Sequence, residues 1–304
     1  MSAPRFTVVG EALVDIVVPP TGEPARAPGG SPLNVAVGLA RLGVGTLLMT
    51  QLGDDDLGRL VLDHVAGSGV ELDAGSVVPG ATTSTATARL DELGVATYTF
   101  DLRWTLGLRE LPSDATALHV GSLGAAMRPG RDSVVELVNR AADRGLLVTF
   151  DPNSRPTITP DAVQAWTDVR EVAAAADLVK LSDEDLAFLQ PGATPAEVAD
   201  LLLGGRTKLV VVTAGGSGAF AASDAGSVEL HSRPVAIVDT VGAGDSFMSA
   251  LLTVAVEHGL DRLDPARLRS YLAAAHAAAA ITVSRRGADP PRRDELPPDW
   301  PAVD

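Results

Sequence analysis

The chain has 304 residues, of which 46% are hydrophobic and 21% are charged, a composition typical of a soluble globular protein. Its net charge of −15 disfavours nucleic acid as a partner, because a phosphate backbone is held by clustered Lys and Arg. It has no cysteine, which excludes disulfides, thiolate metal sites and cysteine nucleophiles.

The N-terminus, Met1 to Asp15, is an apolar run that Glu11 interrupts, and it lacks the basic region and the long apolar stretch of a signal peptide. The longest apolar stretch, Tyr271 to Val283, carries His276 and is too short to span a bilayer. We therefore expect a cytoplasmic enzyme with no membrane partner.

Short apolar segments alternate with helical patterns, which indicates βαβ units, a mostly parallel sheet and an α/β fold. One predicted helix, Leu33–Leu42, has Ser31 as N-cap, Pro32 at its first position and Gly43 after its end. The other predicted helices and the core strands are Pro129–Arg144 and Pro160–Ala175, and Phe6–Gly10, Thr46–Thr50, Leu118–Gly121, Leu146–Asp151, Leu178–Leu181 and Leu209–Thr213.

Two threonine- and valine-rich segments do not follow this alternation of strands and helices, Val14–Pro20 and Thr82–Leu102. The second indicates two strands joined around Asp91–Gly94. We expect a small antiparallel sheet projecting from the main domain, and the alternative is a pair of edge hairpins without a role. No linker or domain boundary is visible, so residues 1–304 are predicted to form one domain with an irregular tail from Pro290 to Pro301.

The segment Asp239–Asp245, D-T-V-G-A-G-D, lies between a predicted strand, Val235–Val238, and a predicted helix that buries Phe247, Leu251 and Val254. Small residues at 242–244 let backbone N–H groups approach an anion, and the helix N-terminus adds a partial positive charge. Such a pocket suits the charge that develops on a transferred phosphoryl group.

Asp245 falls in the first turn of that helix, where the dipole favours a carboxylate that can accept a proton. Phosphoryl transfer asks mainly for positioning, so a weak base is sufficient. The alternative is an Asp- and Thr-rich turn that merely caps a buried helix.

Several enzyme classes are excluded or disfavoured by what the sequence lacks. The two lysines, Lys180 and Lys208, do not follow a glycine-rich loop, which rules out a Walker P-loop. No G-x-G-x-x-G follows the first strand, and there is no G-x-S-x-G or H-E-x-x-H. His119 and His276 are interpreted as packing residues.

Taken together, these motifs resemble a known family. The segment 239–245 is similar to the C-terminal signature of the PfkB, or ribokinase-like, carbohydrate kinases. Residues 29–43, which begin G-G-S-P-L-N-V-A, resemble the N-terminal signature. The two signatures lie about two hundred residues apart in the expected order, and the resemblance covers essentially the whole chain.

The resemblance implies a ribokinase-like fold, with a mostly parallel central sheet flanked by helices and a small β-sheet lid formed by about residues 12–28 and 80–104. It implies homodimers that pair through the lid, and a hinge at Gly29-Gly30. Carried over by position, the catalytic base is Asp245 and the anion hole is Gly242, Ala243 and Gly244. The residues that hydrogen-bond sugar hydroxyls are Asp15, Gly30 and Asn34. Asp15 as a strand-end cap and Asn34 as a turn brace remain alternatives.

For the nucleotide, the resemblance implies ATP with Mg²⁺, bound at a glycine-containing turn that contains Thr213, Gly215, Gly216, Gly218 and Ala219. Relatives can hold K⁺ through the loops around Asp239, Val241 and residues 284–290. Where the family often has N-x-x-E near Mg²⁺, this chain has S-D-E-D at 182–185, and Asp185 is our first choice for ordering the metal's waters. The alternative is a plain helix start capped by Ser182.

Residues 151–155, D-P-N-S-R, resemble the fructokinase and 2-keto-3-deoxygluconate kinase branch. Arg155 could meet a substrate carboxylate or brace its loop, and Arg103 is available from the lid. Because Asp101 would repel an acid, neutral fructose is the predicted acceptor. A 2-keto-3-deoxygluconate kinase is the alternative; ribokinase, nucleoside kinase and a non-catalytic sugar sensor rank lower.

Overall fold

The structure is a computed structural model, and it describes residues 5–93 and 95–303. Within these residues, nine strands form one sheet in the order β15-β14-β13-β12-β11-β10-β1-β4-β6. A four-stranded sheet, β3-β2-β8-β9, and the short pair β5-β7 lie outside it. The strands are β1 (Arg5–Val9), β2 (Leu13–Val18), β3 (Ala25–Gly29), β4 (Gly45–Met49), β5 (Leu52–Gly53), β6 (Glu71–Leu72), β7 (Val77–Val78), β8 (Thr85–Leu90), β9 (Ala96–Asp101), β10 (Ala117–Gly121), β11 (Leu147–Asp151), β12 (Leu178–Ser182), β13 (Leu209–Thr213), β14 (Ala219–Ser223) and β15 (Gly226–Leu230).

The centre of the large sheet is parallel, and its strands are apolar and buried on both faces, as strands covered by helices must be. The six predicted core strands are confirmed within one residue at either end. Val9 pairs with Val120, and Gly121 pairs with Asp151, so the carboxyl ends of neighbouring strands meet at one edge. Residues that follow these strands are thereby brought together at that edge.

Helices cover both faces of the large sheet. One apolar cluster contains side chains of α1, α8 and α9, and a second contains side chains of α4 to α7. The α8 helix is buried around its whole circumference from Ser246 to Ala255. The helices are α1 (Ser31–Arg41), α2 (Asp56–Gly67), α3 (Ser122–Ala126), α4 (Gly130–Asp143), α5 (Ala162–Ala173), α6 (Asp183–Leu189), α7 (Pro195–Leu202), α8 (Ala243–His258) and α9 (Pro265–Val283).

The four-stranded sheet, called the small sheet below, contains the two threonine- and valine-rich segments of the sequence. The β8 and β9 strands form the predicted pair, and Gly94 between them lies outside the described residues. The prediction of a purely antiparallel sheet is wrong, because β2 and β8 run parallel. The chain returns to β8 after passing through α1, β4 and α2, and this long crossover permits a parallel pair.

Two other local predictions are corrected. The predicted strand Val235–Val238 is irregular and exposed, with Ile237 65% accessible, because none of the described strands lies alongside it for pairing. The N-cap of α1 is Gly30 and not Ser31, since the backbone reaches the helix through a φ of 106° that favours glycine. The tail also contains a 3₁₀ turn, Arg293–Glu295, and a buried Trp300.

No described helix combines the length and the apolar character that crossing a bilayer requires.

Candidate active site

The start of α8 is a turn built on glycine, residues 242–245, which is called the α8 turn below. Gly242 precedes the helix with a φ of 75°, and a Cβ on it would lie 2.6 Å from the Cβ of Ala288. Both the backbone angle and the close neighbour require glycine at this position. The first N–H groups of α8, including those of Gly244 and Asp245, have no acceptor within the helix and meet at the positive end of its dipole.

Asp245 lies in the first turn of α8 and faces α1. The Ser31 Oγ donates a hydrogen bond to its Oδ1 at 2.6 Å, and the Asn34 Nδ2 donates to its Oδ2 at 2.8 Å. The Asp245 side chain is half-buried, so it remains accessible to a ligand. The structure therefore joins the two sequence signatures at one carboxylate. The contact with Ser31 was missed because the sequence pattern assigned that hydroxyl to the helix cap.

Asp15 and Gly30 form the adjoining wall, at the junction of the small sheet and α1. The Asp15 carboxylate packs against Gly29, where a Cβ would lie 2.1 Å from its Oδ2. Burial raises the pKa of Asp15. At Gly30, a Cβ would lie 2.6 Å from the Glu11 carbonyl oxygen. Both glycines thus allow backbone to approach closely, and the Asp15 carboxylate lies against the residues that lead into α1.

Arg155 and Arg103 are exposed, and both are engaged locally. The Arg155 Nη1 donates to the Asn153 Oδ1 at 2.6 Å and to the Asn153 carbonyl at 3.0 Å. Arg103 forms an ion pair with Asp101 at 2.9 Å. Among the described contacts, neither arginine reaches Asp245 or Asp15. The structure therefore does not place Arg103 or Arg155 in the group of residues around Asp245.

The glycine turn predicted for the nucleotide connects β13 to β14. Thr213 ends β13, and its Oγ1 donates to the Leu181 carbonyl at 3.3 Å. Gly218 has a φ of 121°, and a Cβ there would lie 2.2 Å from the Leu230 carbonyl oxygen. Gly215 and Gly216 are exposed with open space above them, and Ala219 begins β14. The turn therefore presents accessible backbone at the same edge of the sheet as the α8 turn.

The loop before α8 is fixed to the loop after α9 through Asp239. Its Oδ1 accepts a hydrogen bond from the Val241 N–H at 3.1 Å, and its Oδ2 accepts one from the Gly287 N–H at 2.8 Å. The hydrogen bonds from Gly287 and Val241 lower the pKa of Asp239. Each oxygen of the Asp239 carboxylate is thus engaged by one backbone N–H, and the two loops are held together at this point.

Asp185 is 2% exposed, and both of its oxygens accept hydrogen bonds. The donors are the Ser154 N–H at 2.6 Å and the N–H and hydroxyl of Ser182 at 2.8 and 2.7 Å, which complete a capping box at the start of α6. Within the described residues, no group of three or more His, Asp or Glu side chains is arranged to hold a metal ion. A divalent cation here would depend on ligand phosphates and on water.

Sequence reasoning missed Glu11, which is buried directly after β1. Its Oε2 accepts a hydrogen bond from the Gly124 N–H at 2.8 Å, which ties β1 to α3. Burial raises the pKa of Glu11 to about 7, although hydrogen bonds from Ser122 and Gly124 oppose the shift. The only signal available in the sequence was a carboxylate in an otherwise apolar segment.

A cavity of about 390 Å³ is lined by residues of α3, of the 153–155 loop and of α5. It is lined mostly by apolar side chains, among them Met127, Phe150 and Ile158, with Arg155 at its edge. Asp15, Asn34 and Asp245 do not line it. The α8 turn, and not the cavity, therefore holds the sequence-predicted candidates for phosphoryl chemistry, Gly242 to Asp245.

Known proteins resemble this chain over nearly its whole length. The model of the pfkB family carbohydrate kinases matches residues 4–295. The fructokinase of Klebsiella pneumoniae is 34% identical over 302 residues, which are 96% of this chain and 98% of the relative. The crystal structure of the Xylella fastidiosa fructokinase with bound ATP superposes with a TM-score of 0.84 at 27% identity, covering 96% of this chain and 95% of that one. A fructokinase double mutant from Vibrio cholerae, in a form with fructose, ADP and potassium ion bound, gives a TM-score of 0.81 at 27% identity and covers 94% of both chains. The chain therefore belongs to the pfkB family of carbohydrate kinases and is a phosphotransferase that acts on an alcohol group of a sugar.

Proposed function

We propose that this kinase transfers the γ-phosphate of ATP to a hydroxyl of fructose, with Asp245 as the catalytic base. The observation that carries the proposal is the Asp245 carboxylate, held by Ser31 and Asn34 beside the open N–H groups of the α8 turn. The names of the related fructokinases from Klebsiella and Xylella support fructose as the acceptor and ATP as the donor.

In the proposed reaction, the sugar hydroxyl oxygen forms a bond to the γ-phosphorus and its proton passes to Asp245. The bond from the γ-phosphorus to the bridging oxygen breaks, and ADP leaves with that electron pair. The N–H groups of Gly242 and Gly244 would stabilise the charge on the transferred group, since they are fixed before the reaction begins. The Ala243 N–H, the third group of the proposed anion hole, donates to the Thr240 carbonyl at 3.2 Å in this structure. The side chains of Asp15 and Asn34, together with the Gly30 backbone, would satisfy the remaining sugar hydroxyls.

A neutral acceptor is supported by the state of the two arginines. Arg103 forms an ion pair with Asp101, and Arg155 donates hydrogen bonds to the side chain and carbonyl of Asn153. Both guanidinium groups therefore already have partners within the protein, and a substrate carboxylate would have to compete with them. The alternative acceptor, 2-keto-3-deoxygluconate, is favoured by one observation: Arg155 borders the cavity. A turnover preference for fructose that survives Arg155→Ala would remove this alternative.

We also propose Mg²⁺ as the ion that accompanies ATP. It would be held by the phosphates and by waters ordered near the start of α6, where Asp185 is buried and Asp183 and Glu184 are exposed. When bound, it neutralises phosphate charge. The backbone carbonyls around Asp239 and Val241 are the proposed K⁺ ligands. Loss of activity without added KCl would support this site, and equal activity in its absence would remove it.

A homodimer through the small sheet is part of the proposal, as is a role for this sheet as a lid over the sugar. Its exposed face carries Tyr98 and Phe100, stacked with ring centroids 6.3 Å apart, and Val17 is 40% exposed. Apolar side chains on an open sheet favour pairing with a second copy. Sedimentation of the wild type and of Tyr98→Asp tests it: a wild-type monomer contradicts the dimer.

A cytoplasmic location is proposed because ATP is the donor.

The experiment that tests the function is a coupled ADP-release assay over a panel of neutral sugars, sugar acids and nucleosides. We expect turnover with fructose, and a fall of about 10³-fold in kcat for Asp245→Asn while fructose still binds. Folded protein that turns over no sugar would contradict the proposal. Sugar binding without turnover in the wild type would instead favour a non-catalytic sensor.

A further inference from the structure

A buried ion pair lies beneath the α8 turn. The Lys180 Nζ, on β12, donates to the Asp151 Oδ2, at the end of β11, at 3.0 Å. The two side chains are 4% and 1% exposed. A Cβ on Gly244 would lie 3.5 Å from the Lys180 Nζ, so the ammonium lies directly under the backbone that begins α8.

The ammonium of Lys180 faces three carboxylates from three different elements. Burial alone would lower the pKa of Lys180, but attraction to Asp151, Asp185 and Asp245 raises it, so the side chain is charged. Burial raises the pKa of Asp151 to about 6, with Lys180 opposing the shift and the two other carboxylates adding to it. On β10, burial and the nearby Lys180 lower the pKa of His119 to about 3, so that ring adds no positive charge.

The Lys180–Asp151 ion pair does not use all the hydrogen-bonding groups of its two side chains. Within the described residues, the Asp151 Oδ1 is buried and accepts no hydrogen bond. Lys180 makes one hydrogen bond there, to Asp151, although an ammonium has three N–H groups. A buried pair of this kind contributes little net stability, because its desolvation offsets its attraction. Its position under the α8 turn is therefore better explained by its effect on neighbouring charges.

We propose that Lys180 is a positioning residue of the phosphoryl-transfer site, whose ammonium beneath Gly244 stabilises the negative charge of Asp245. The inference rests on the proposed role of Asp245 as the base. Asp245 otherwise contacts the neutral side chains of Ser31 and Asn34. Asp151 acts against its negative charge, and Lys180, which attracts both carboxylates, compensates for Asp151.

The two members of the pair are predicted to act in opposite directions. We expect Lys180→Met to move the acid limb of the pH profile of kcat/KM for the sugar to higher pH by about one unit, since a cation near the base is lost. Asp151→Asn removes a competing negative charge and should move the same limb to lower pH. If the ion pair were purely structural, both variants would be less stable, and the acid limb would not shift in opposite directions in the two variants.

Lys208→Met is the matched control, because Lys208 is paired with Asp261 at 3.1 Å but is half exposed and on the outside of the sheet edge. It should leave the profile in place. Glu11 also titrates near the same pH range, but the charged group that acts on it is Arg155, so its contribution should stay fixed in both variants.

An acid limb that moves the same way in both variants, or in neither, overturns the proposal. If Lys180→Met does not fold, Asp151→Asn decides alone: a limb that stays or moves to higher pH overturns it. Absence of turnover in the wild type removes the proposed function and this inference with it. If the wild type turns over sugar but the acid limb of the pH profile stays in place in both variants, only the inference about Lys180 is removed.

Discussion

The Asn34 side chain donates a 2.8 Å hydrogen bond to the Oδ2 of Asp245, from a position 211 residues earlier in the chain. Asn34 is 8% exposed and lies on α1, one turn after Ser31, which bonds the other oxygen of the same carboxylate. The proposed base is therefore oriented by the helix that also borders the proposed sugar site, so we expect sugar binding and the geometry of Asp245 to depend on one element.

Asn34→Ala should lower kcat by about 10- to 100-fold, because a hydrogen bond to a charged group contributes about 1.5–3 kcal/mol. The KM for ATP should change by less than about twofold, since Asn34 lies on the sugar side of the base. Steady-state kinetics with either substrate varied will check this. Asn139→Ala, at an exposed position on α4, is the control. An unchanged kcat in a folded Asn34→Ala variant would contradict the positioning role.

Gly242→Ala and Gly259→Ala test the α8 turn as a pair of substitutions at the two ends of one helix. Both glycines have a φ of 75°, but ψ is 1° at Gly242 and 178° at Gly259. Alanine at Gly242 therefore carries a backbone strain of about 1–2 kcal/mol, and alanine at Gly259 carries at least as much, because that region is adopted almost only by glycine. Only at Gly242 does the new Cβ meet a neighbour, Ala288 at 2.6 Å; at Gly259 it meets nothing within 4 Å. We expect both variants to lose stability, and kcat/KM for ATP to fall by about 10²-fold in Gly242→Ala alone.

Thermal unfolding and kinetics of the two variants separate these effects. Should Gly259→Ala lose as much catalytic efficiency as Gly242→Ala, general destabilisation would explain the result, and the local role of the turn would be refuted.

Glu11 is predicted to make stability fall as the pH rises. Its pKa is raised from 4.5 to about 7 by burial, so the folded state binds more protons than the unfolded state between these values. The folded state is therefore favoured below this window and loses up to about 3 kcal/mol of stability across it. Glu11→Gln should remove most of that loss, because a neutral amide can still accept from Gly124.

Urea unfolding at about pH 5 and about pH 8 measures this difference. The variant should match the wild type at the lower pH and exceed it in free energy of unfolding at the higher pH. Glu229→Gln, exposed on β15, should show no such divergence. Parallel pH curves for wild type and Glu11→Gln would show that Glu11 is charged in the folded protein throughout the range.

The sequence was sufficient wherever a feature is local. The apolar strands are confirmed because continuous burial leaves a continuous apolar run, as in Leu209–Thr213. The glycines before Asp245 were recognisable because backbone approach to an anion demands small residues at fixed spacing. In contrast, Val235–Val238 has the composition of a strand but pairs with none of the described strands, and composition alone does not reveal whether a strand will find a partner.

Features that depend on tertiary contact were not predictable. Ser31 is an ordinary N-cap residue in sequence, and only the position of α8 turns its hydroxyl into a donor for Asp245. Asp185 was chosen for its carboxylate, but the fold closes a capping box around it and buries both oxygens. The parallel pairing of β2 with β8 likewise depends on the path of the intervening chain.

The α8 turn, which carries the proposed catalytic groups, begins a helix that is buried on all sides from Ser246 to Ala255. Segments of this kind open only when the whole core opens, whereas exposed loops melt earlier. Heat inactivation of this enzyme should therefore coincide with loss of the entire fold. We expect no earlier step in which the α8 turn unfolds while the rest of the protein stays folded. Improving its working temperature would then be a matter of the core around α8 and not of the loops beside it.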